Sequence, residues 1–78
     1  MWFVYILKCK DGSIYTGCTT DVTRRLKEHE DHKIHFTRDK TPFTLITYVA
    51  FSDKYKAFEF EKYLKSGSGI SFRNRHLV

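Results

Sequence analysis

The chain has 78 residues and a mass of 9.3 kDa, with 14 Lys and Arg against 9 Asp and Glu, for a formal net charge of +5. This length predicts one domain, residues 1–78, near the lower limit for a chain that folds around its own core. Two cysteines exclude a disulfide framework and lack zinc-site spacing, and no apolar run has membrane-spanning length. The positive charge favours a polyanionic partner, nucleic acid first.

The first half of the chain predicts a hairpin followed by a helix and a loop. The run WFVYILKC is β-branched and aromatic, KDG is a turn signal, and SIYTGC is a second short strand. TTDVTRRLKEHE predicts a helix capped by Thr20 or Asp21. DHKIHFTRDKTP predicts a loop, with one helical turn near His35. The N-terminal run has no basic leader of a signal peptide, so we expect a cytoplasmic protein with reduced thiols.

The second half predicts a strand and two helices. FTLITYVAF, after Pro42, is a third strand. Ser52 or Asp53 opens the longest helix, through KYKAFEFEKYLK, and SGSG ends it. ISFRNRHLV predicts a short closing helix. The order β-β-α-β-α-α indicates an α+β fold with a three-stranded antiparallel sheet flanked by helices, and the apolar strands suggest that both sheet faces are covered.

Tyr5 and Tyr15 share a face of the hairpin for only one of two common turn lengths. Side chains alternate along a strand, so the number of turn residues decides which way Tyr15 points. A two-residue turn separates the two phenols. A three-residue turn, residues 10–12 with Gly12 in the left-handed conformation, pairs Tyr5 with Gly17 and brings the tyrosine backbones within about 7–8 Å. Most strand tyrosines only pack, so packing and a shared site both stay open.

Both longer helices turn charged or polar residues toward the sheet. At about 100° per residue, His29 and Arg25 lie on or beside the apolar stripe of the first helix, so we expect them between core and water. Arg25 alternatively covers the core rim with its aliphatic stem. Glu61 lies within the buried stripe of the second helix, where a carboxylate needs a partner. Lys65, four residues on, is one candidate partner and a divalent metal ion is the other.

These side chains suit metal-assisted hydrolysis of a phosphodiester. A phenol or an imidazole can deprotonate or orient water, and a guanidinium can stabilise the charge that develops on phosphorus. A metal ion held by a carboxylate can bind a phosphate oxygen. The residues alone therefore make a nuclease site a hypothesis.

The same residues resemble the GIY-YIG nuclease family, in particular its small stand-alone members related to the N-terminal nuclease module of the bacterial excinuclease C subunit. VYI at residues 4–6 corresponds to the first motif and YTG at residues 15–17 to the second. TRRLKEH at residues 23–29 corresponds to the helix motif, and FEKYLKSGSG at residues 60–69 to the glutamate motif. The resemblance covers almost the whole chain, although Val4 replaces the first glycine of the name motif.

The resemblance implies a single-metal endonuclease that cuts DNA by attack of water, with magnesium as the usual ion and manganese as the alternative. It also implies a role in DNA repair or recombination, on branched or damaged DNA, with a partner protein as one source of specificity. The general base differs between members and is left open. The residue roles that the resemblance implies are catalytic phenols at Tyr5 and Tyr15, transition-state stabilisation by Arg25, assistance or positioning by His29, metal binding by Glu61, close approach of substrate at Gly17, and a substrate contact at Asn74.

Lys33 and Arg38 belong to a basic loop that we interpret as following a DNA backbone, with a merely solvated loop as the alternative. A second hypothesis for the whole chain is a nucleic-acid-binding module without catalysis that needs a partner protein, since a basic surface is sufficient for such binding. A third is that the chain forms part of a larger nuclease.

Overall fold

The computed structural model describes residues 1–31, 33–34 and 40–78. The predicted order of elements is confirmed over these residues, and within them no helix is long and apolar enough to cross a membrane. The predicted helical turn near His35 lies outside the described residues. The elements are β1 (Trp2–Lys8), β2 (Ile14–Thr19), α1 (Val22–Glu30), β3 (Thr44–Phe51), α2 (Lys54–Leu64) and α3 (Gly67–His76).

The three strands form one antiparallel sheet in the order β2-β1-β3, with β1 in the centre. The β1–β2 register pairs Tyr5 with Gly17, as the three-residue turn predicts. Gly12 has a φ of 85°, a conformation that glycine adopts without steric cost, and its N–H donates to the carbonyl of Cys9 at 3.0 Å. Of the two turn lengths that the sequence leaves open, the structure has the three-residue turn, so Tyr5 and Tyr15 lie on one face of the sheet.

The turn is also held by polar contacts. Asp11 Oδ1 accepts hydrogen bonds from the Ser13 hydroxyl at 2.6 Å and from the Ser13 amide at 3.0 Å. These bonds, helped by the charge of Lys40, lower the pKa of Asp11 to about 2. The Lys10 amide donates to the Lys40 carbonyl at 2.9 Å. The turn that sets the register is thus tied to the segment leading into β3.

The two faces of β1 pack against different helices. Val4 and Ile6 lie on the face covered by α2, where they form a buried core with Ala57 and Leu64. Tyr5 lies on the opposite face and contacts α1. Both faces of the central strand are therefore covered, as predicted. Partly buried side chains complete the core on the α2 side: Trp2, Ile14, Cys18, Ile46, Phe51, Phe60, Phe72 and Leu77.

The expectation of two covered faces is wrong for β3. Tyr48 is 52% exposed and Leu45 is 36% exposed, because β3 is an edge strand and α1 does not close over it. A cleft of about 370 Å³ separates α1 from β3, with Phe3 and Leu26 among its lining residues. The apolar residues of β3 thus pack on the α2 side of the sheet, and the other side of the strand is open to solvent.

Aspartates begin the first two helices. Asp21 Oδ1 accepts from the Arg24 amide at 3.0 Å, and Asp53 Oδ1 accepts from the Tyr55 amide at 2.8 Å. A carboxylate in this position satisfies an amide that has no partner within the helix and favours the positive end of the helix dipole. Of each predicted pair of capping residues, the structure therefore selects the aspartate.

The segment SGSG does not only end α2, as expected from the sequence, but also begins α3 at Gly67. Ser66 is the capping residue, and its hydroxyl accepts from the Gly69 amide at 3.2 Å and donates to the Tyr63 carbonyl at 2.6 Å. Gly69 is buried so close to Tyr63 that a Cβ atom would overlap its carbonyl group. Glycine is needed here for close approach of two backbones, which composition alone does not distinguish from a helix end.

Candidate active site

Two tyrosines and a histidine meet on the α1 side of the sheet. Tyr5 Oη lies 2.9 Å from His29 Nε2. The ring centroids of Tyr5 and Tyr15 are 6.1 Å apart, and those of Tyr15 and His29 are 5.0 Å apart. The three residues come from β1, β2 and α1, so the structure brings together three of the side chains that the resemblance places in a site.

Tyr5 and His29 are both fully buried, whereas Tyr15 is half-buried. His29 was expected between core and water, and this expectation is wrong because Phe43 packs against the imidazole with centroids 5.6 Å apart. Burial raises the pKa of Tyr5 well above its ordinary value, and the neighbouring Tyr15 raises it further. Tyr5 therefore keeps its proton at neutral pH and can donate it to Nε2 when the imidazole proton is on Nδ1.

The imidazole of His29 should make stability depend on pH. Burial lowers its pKa below the ordinary 6.5, the charge of Arg25 lowers the pKa further, and Glu28 raises it. The imidazole therefore binds a proton at higher pH in the unfolded chain than in the folded one. Its contribution to stability is fully present above the unfolded-state pKa and is lost as the pH falls through the folded-state pKa. We expect the Tm of the wild type to decrease as the pH is lowered from about 7.5 to about 5. The Tm of His29→Gln should decrease less over the same range.

Thermal unfolding followed by circular dichroism measures this difference. His76→Gln is the matched control, since His76 is exposed at the end of α3. An equal decrease of Tm in His29→Gln and in the wild type would contradict the assignment of this pH dependence to His29.

Arg25 and Glu61 approach the cluster from two different helices. The positive charge of Arg25 lowers the pKa of Tyr5, and the negative charge of Glu61 raises it. The pKa of the Cys18 thiol is raised, mainly by burial and also by the charge of Glu61, whereas the charge of Arg25 lowers it. Both charges therefore lie within electrostatic reach of β1 and β2. The two helices that supply these charges lie on opposite faces of the sheet.

The two charged groups have local partners. Arg25 Nε lies 3.3 Å from Glu28 Oε1 in an ion pair, and this buried nitrogen has no hydrogen-bond partner within the described part of the chain. Glu61 Oε2 accepts a hydrogen bond from Lys65 Nζ at 2.9 Å, and the Glu61 side chain is 24% exposed. The carboxylate is thus turned inward, and the lysine partner considered from the sequence is the one observed.

Gly17 does not leave open space above the sheet. A Cβ atom at this position would overlap the phenol ring of Tyr5, which lies directly over it. The expectation that substrate approaches through this gap is therefore wrong, because the opposite side chain fills it. The role of Gly17 is to let the Tyr5 ring lie flat on β2, where it reaches both Tyr15 and His29.

The predicted substrate contacts do not form one group. Lys33 is exposed, and Arg38 lies outside the described residues. Asn74 is exposed on α3, where its Oδ1 accepts from Arg73 Nε at 3.2 Å and from Arg73 Nη2 at 3.0 Å. Arg73, which sequence reasoning did not single out, lines a cleft together with Tyr15.

One sequence signal could have indicated Arg73. A helix that begins at Gly67 places Ile70 and Arg73, three residues apart, on one face, and both line the cleft. The helix predicted from Ile70 has the same spacing, but nothing in the sequence shows that this face meets β2. The cleft itself therefore identifies Arg73 as a cationic residue near Tyr15.

The donor atoms suit one kind of metal ion. No group of three or more His, Cys, Asp or Glu side chains that could hold a metal occurs among the residues that the structure describes. Glu61 offers a partly buried carboxylate oxygen on α2, and the Glu28 carboxylate on α1 is paired with Arg25. Magnesium is typically bound by one or two carboxylates and retains several waters, whereas structural zinc needs four protein ligands. A single carboxylate such as Glu61 is therefore compatible with a hard divalent ion that keeps most of its ligands as water, and not with a structural zinc ion.

Comparison with known proteins agrees with the geometry. Residues 1–72 match the GIY-YIG catalytic domain. A UPF0213 protein of Halalkalibacterium halodurans is 50% identical over 64 residues, which cover 81% of this chain and 68% of the relative. A UPF0213 protein of Cupriavidus pinatubonensis is 41% identical over 75 residues, covering 91% and 83% of the two chains.

A solved structure is similar as well. The solution NMR structure of the UPF0213 protein BH0048 from Bacillus halodurans aligns with a TM-score of 0.57 and 45% identity, covering 92% of this chain and 81% of the other. This chain thus shares its three-stranded antiparallel sheet with three helices with a relative of known structure. Together with the domain match, this shows that the chain belongs to the GIY-YIG family of catalytic domains.

Proposed function

We propose that this protein is a metal-dependent DNA endonuclease that hydrolyses phosphodiester bonds in DNA repair or recombination. The observation that carries the proposal is the contact of Tyr5, Tyr15 and His29 on one face of the sheet, with Arg25 on the helix that carries His29 and Glu61 on α2. Membership of the GIY-YIG catalytic domain family supports the same reaction class. The net charge of +5 is suited to a polyanionic substrate.

Glu61 would hold the metal ion, most suitably Mg²⁺ with Mn²⁺ as the alternative. When bound, such an ion supplies Lewis acidity at a phosphate oxygen. The Lys65 ammonium, 2.9 Å from Glu61 Oε2, orients the carboxylate by a charge-assisted hydrogen bond.

The phenols have different roles because their burial differs. Tyr5 is buried and retains its proton, so it positions His29 and the neighbouring ring and does not remove a proton from water. Tyr15 is half-buried and lines an open cleft, so it is the phenol that can meet water or a phosphate oxygen. His29 lies behind both rings and fixes their arrangement.

Arg25 would stabilise the negative charge that accumulates on the phosphate oxygens in the transition state. Its ion pair with Glu28 holds the guanidinium plane in a partly desolvated position, where its interaction with an anion is stronger than in water. Arg25→Ala should therefore lower the rate of DNA cleavage by about a hundredfold or more, as does loss of one preorganised donor in other hydrolases.

Cleavage of labelled plain, flapped and branched duplexes, with magnesium or with chelator, tests the proposal. Arg24→Ala is the matched control, because Arg24 is the adjacent residue of the same helix and is exposed. Equal loss of activity in both variants would indicate a general effect of charge, and equal cleavage by wild type and Arg25→Ala would contradict this active site.

A second candidate function is a nucleic-acid-binding module that lacks catalysis and needs a partner protein. The observation in its favour is the pairing of Glu61 with Lys65, which satisfies the carboxylate without any metal. DNA binding without cleavage of any of the three substrates, at any magnesium or manganese concentration, would support this candidate over the endonuclease.

A further inference from the structure

A cationic cleft, which Tyr15 helps to line, lies between β2 and the junction of α2 with α3. Its volume is about 380 Å³. Lys65 and Arg73 supply two positive charges, and no acidic residue occurs among the described residues that line it. The remaining walls are Ile14, Tyr15, Thr16 and Ile70.

The cleft has the chemistry of a site for one nucleotide of a nucleic-acid strand. Lys and Arg are the side chains that bind phosphate oxygens, Arg through a planar fork and Lys as a point charge. Apolar and aromatic walls such as Ile70 and Tyr15 can contact a sugar or a base without selecting its sequence. A small anion without an apolar part would leave the apolar walls without a partner. A purely apolar ligand would leave Lys65 and Arg73 without one.

The cleft is continuous with the proposed active site. Tyr15 belongs to both, since it lines the cleft and its ring lies 5.0 Å from that of His29. Lys65 also belongs to both, because its ammonium is bonded to Glu61. A phosphate bound here would therefore be next to the phosphate that reacts, on the same strand.

We propose that Lys65 and Arg73 bind the phosphodiester adjacent to the one that is cut, and so position the DNA strand across Tyr15. The proposal rests on the proposed endonuclease function and extends it to residues that bind substrate. Asn74 is a positioning residue in this arrangement, because its Oδ1 accepts from both Nε and Nη2 of Arg73 and so fixes the guanidinium.

Fluorescence anisotropy with a labelled flapped duplex in chelator tests the proposal, since it needs neither metal nor catalysis. Lys65→Ala and Arg73→Ala should each raise the Kd about tenfold, the effect expected for loss of one charged hydrogen bond. Each should also reduce the slope of log Kd against log salt by about one. Arg73→Ala leaves the Lys65 bond to Glu61 intact, so it tests the cleft without exposing that carboxylate.

The matched controls are Lys62→Ala and Arg75→Ala, which remove the same charges from exposed positions outside the cleft. They should change Kd by about twofold at most, because charges outside the cleft make no direct contact with the bound phosphate and act on it only through screening salt solution. Equal weakening in all four variants would overturn the proposal in favour of a diffuse basic surface. Unchanged binding in the two cleft variants, or no DNA binding by the wild type, would also overturn it.

Failure of this inference is distinct from failure of the proposed function. Cleavage that requires Arg25 but not the cleft residues would remove the cleft from substrate binding and leave the endonuclease intact. Binding that requires Lys65 and Arg73 without any cleavage would retain the cleft and contradict the endonuclease. Lys65→Gln serves as a second variant, since an amide keeps a polar contact with Glu61 and preserves local packing.

Discussion

Glu61→Gln is expected to reduce metal-dependent DNA cleavage by about a thousandfold, which corresponds to several kcal/mol of lost transition-state stabilisation. The amide has the shape of the carboxylate and keeps an oxygen that can accept from Lys65 Nζ, so the fold should be retained. It lacks the negative charge that a hard divalent cation requires. The loss should therefore appear in the rate of cleavage and not in Tm.

Glu59→Gln is the matched control for this experiment. Glu59 is two residues away on the same helix, but it is exposed and pairs only weakly with Lys56 at 3.8 Å. Initial rates on a flapped duplex, across a range of magnesium concentrations, compare the two variants with the wild type. If Glu61→Gln cuts DNA as fast as Glu59→Gln, Glu61 does not hold a catalytic metal.

Gly69→Ala is expected to lower the free energy of unfolding by about 1–3 kcal/mol, the usual cost of overpacking a filled site. Its methyl group would overlap the carbonyl of Tyr63 and press on the Cα atom of Leu64. These are backbone atoms of α2, so no side-chain rotation can relieve the contact. The whole of α3 would have to move away from α2, and Arg73 would move with it.

Gly67→Ala provides a control in the same turn of the same helix. A Cβ atom there meets nothing within 4 Å, so the variant should be as stable as the wild type or more stable by up to about 1 kcal/mol. Urea unfolding followed by tyrosine and tryptophan fluorescence measures both values. Equal destabilisation by the two substitutions would show that helix geometry, and not the contact with Tyr63, limits this position.

Most of the fold follows from local signals. Alternating and β-branched runs predict the three strands, and Asp21 and Asp53 precede their helices in the expected way. Whether Tyr5 and Tyr15 share a face needed one further fact, the pairing of Tyr5 with Gly17, which distinguishes between two turn lengths that the sequence permits equally. These features depend on neighbours in the chain, so the sequence is informative about them.

The parts of the site that could not be predicted depend on contacts between distant segments. His29 is buried because Phe43, far along the chain, packs against it. The space over Gly17 is filled because the Tyr5 ring leans across β2. The cleft beside Tyr15 exists because Gly69 lets α3 approach α2 closely enough to carry Arg73 to β2. Periodicity within a single helix or strand carries no information about any of these three contacts.

The turn between β1 and β2 makes this hairpin intolerant of a single insertion or deletion. Surface loops generally accept changes of length at small energetic cost. Here the loss or gain of one residue between Cys9 and Ser13 would exchange the two faces of β2 and carry Tyr15 to the side covered by α2. The phenols would then be separated by the sheet although every residue of both motifs remained. The number of residues in a solvent-exposed turn is therefore as much a part of the candidate active site as its side chains.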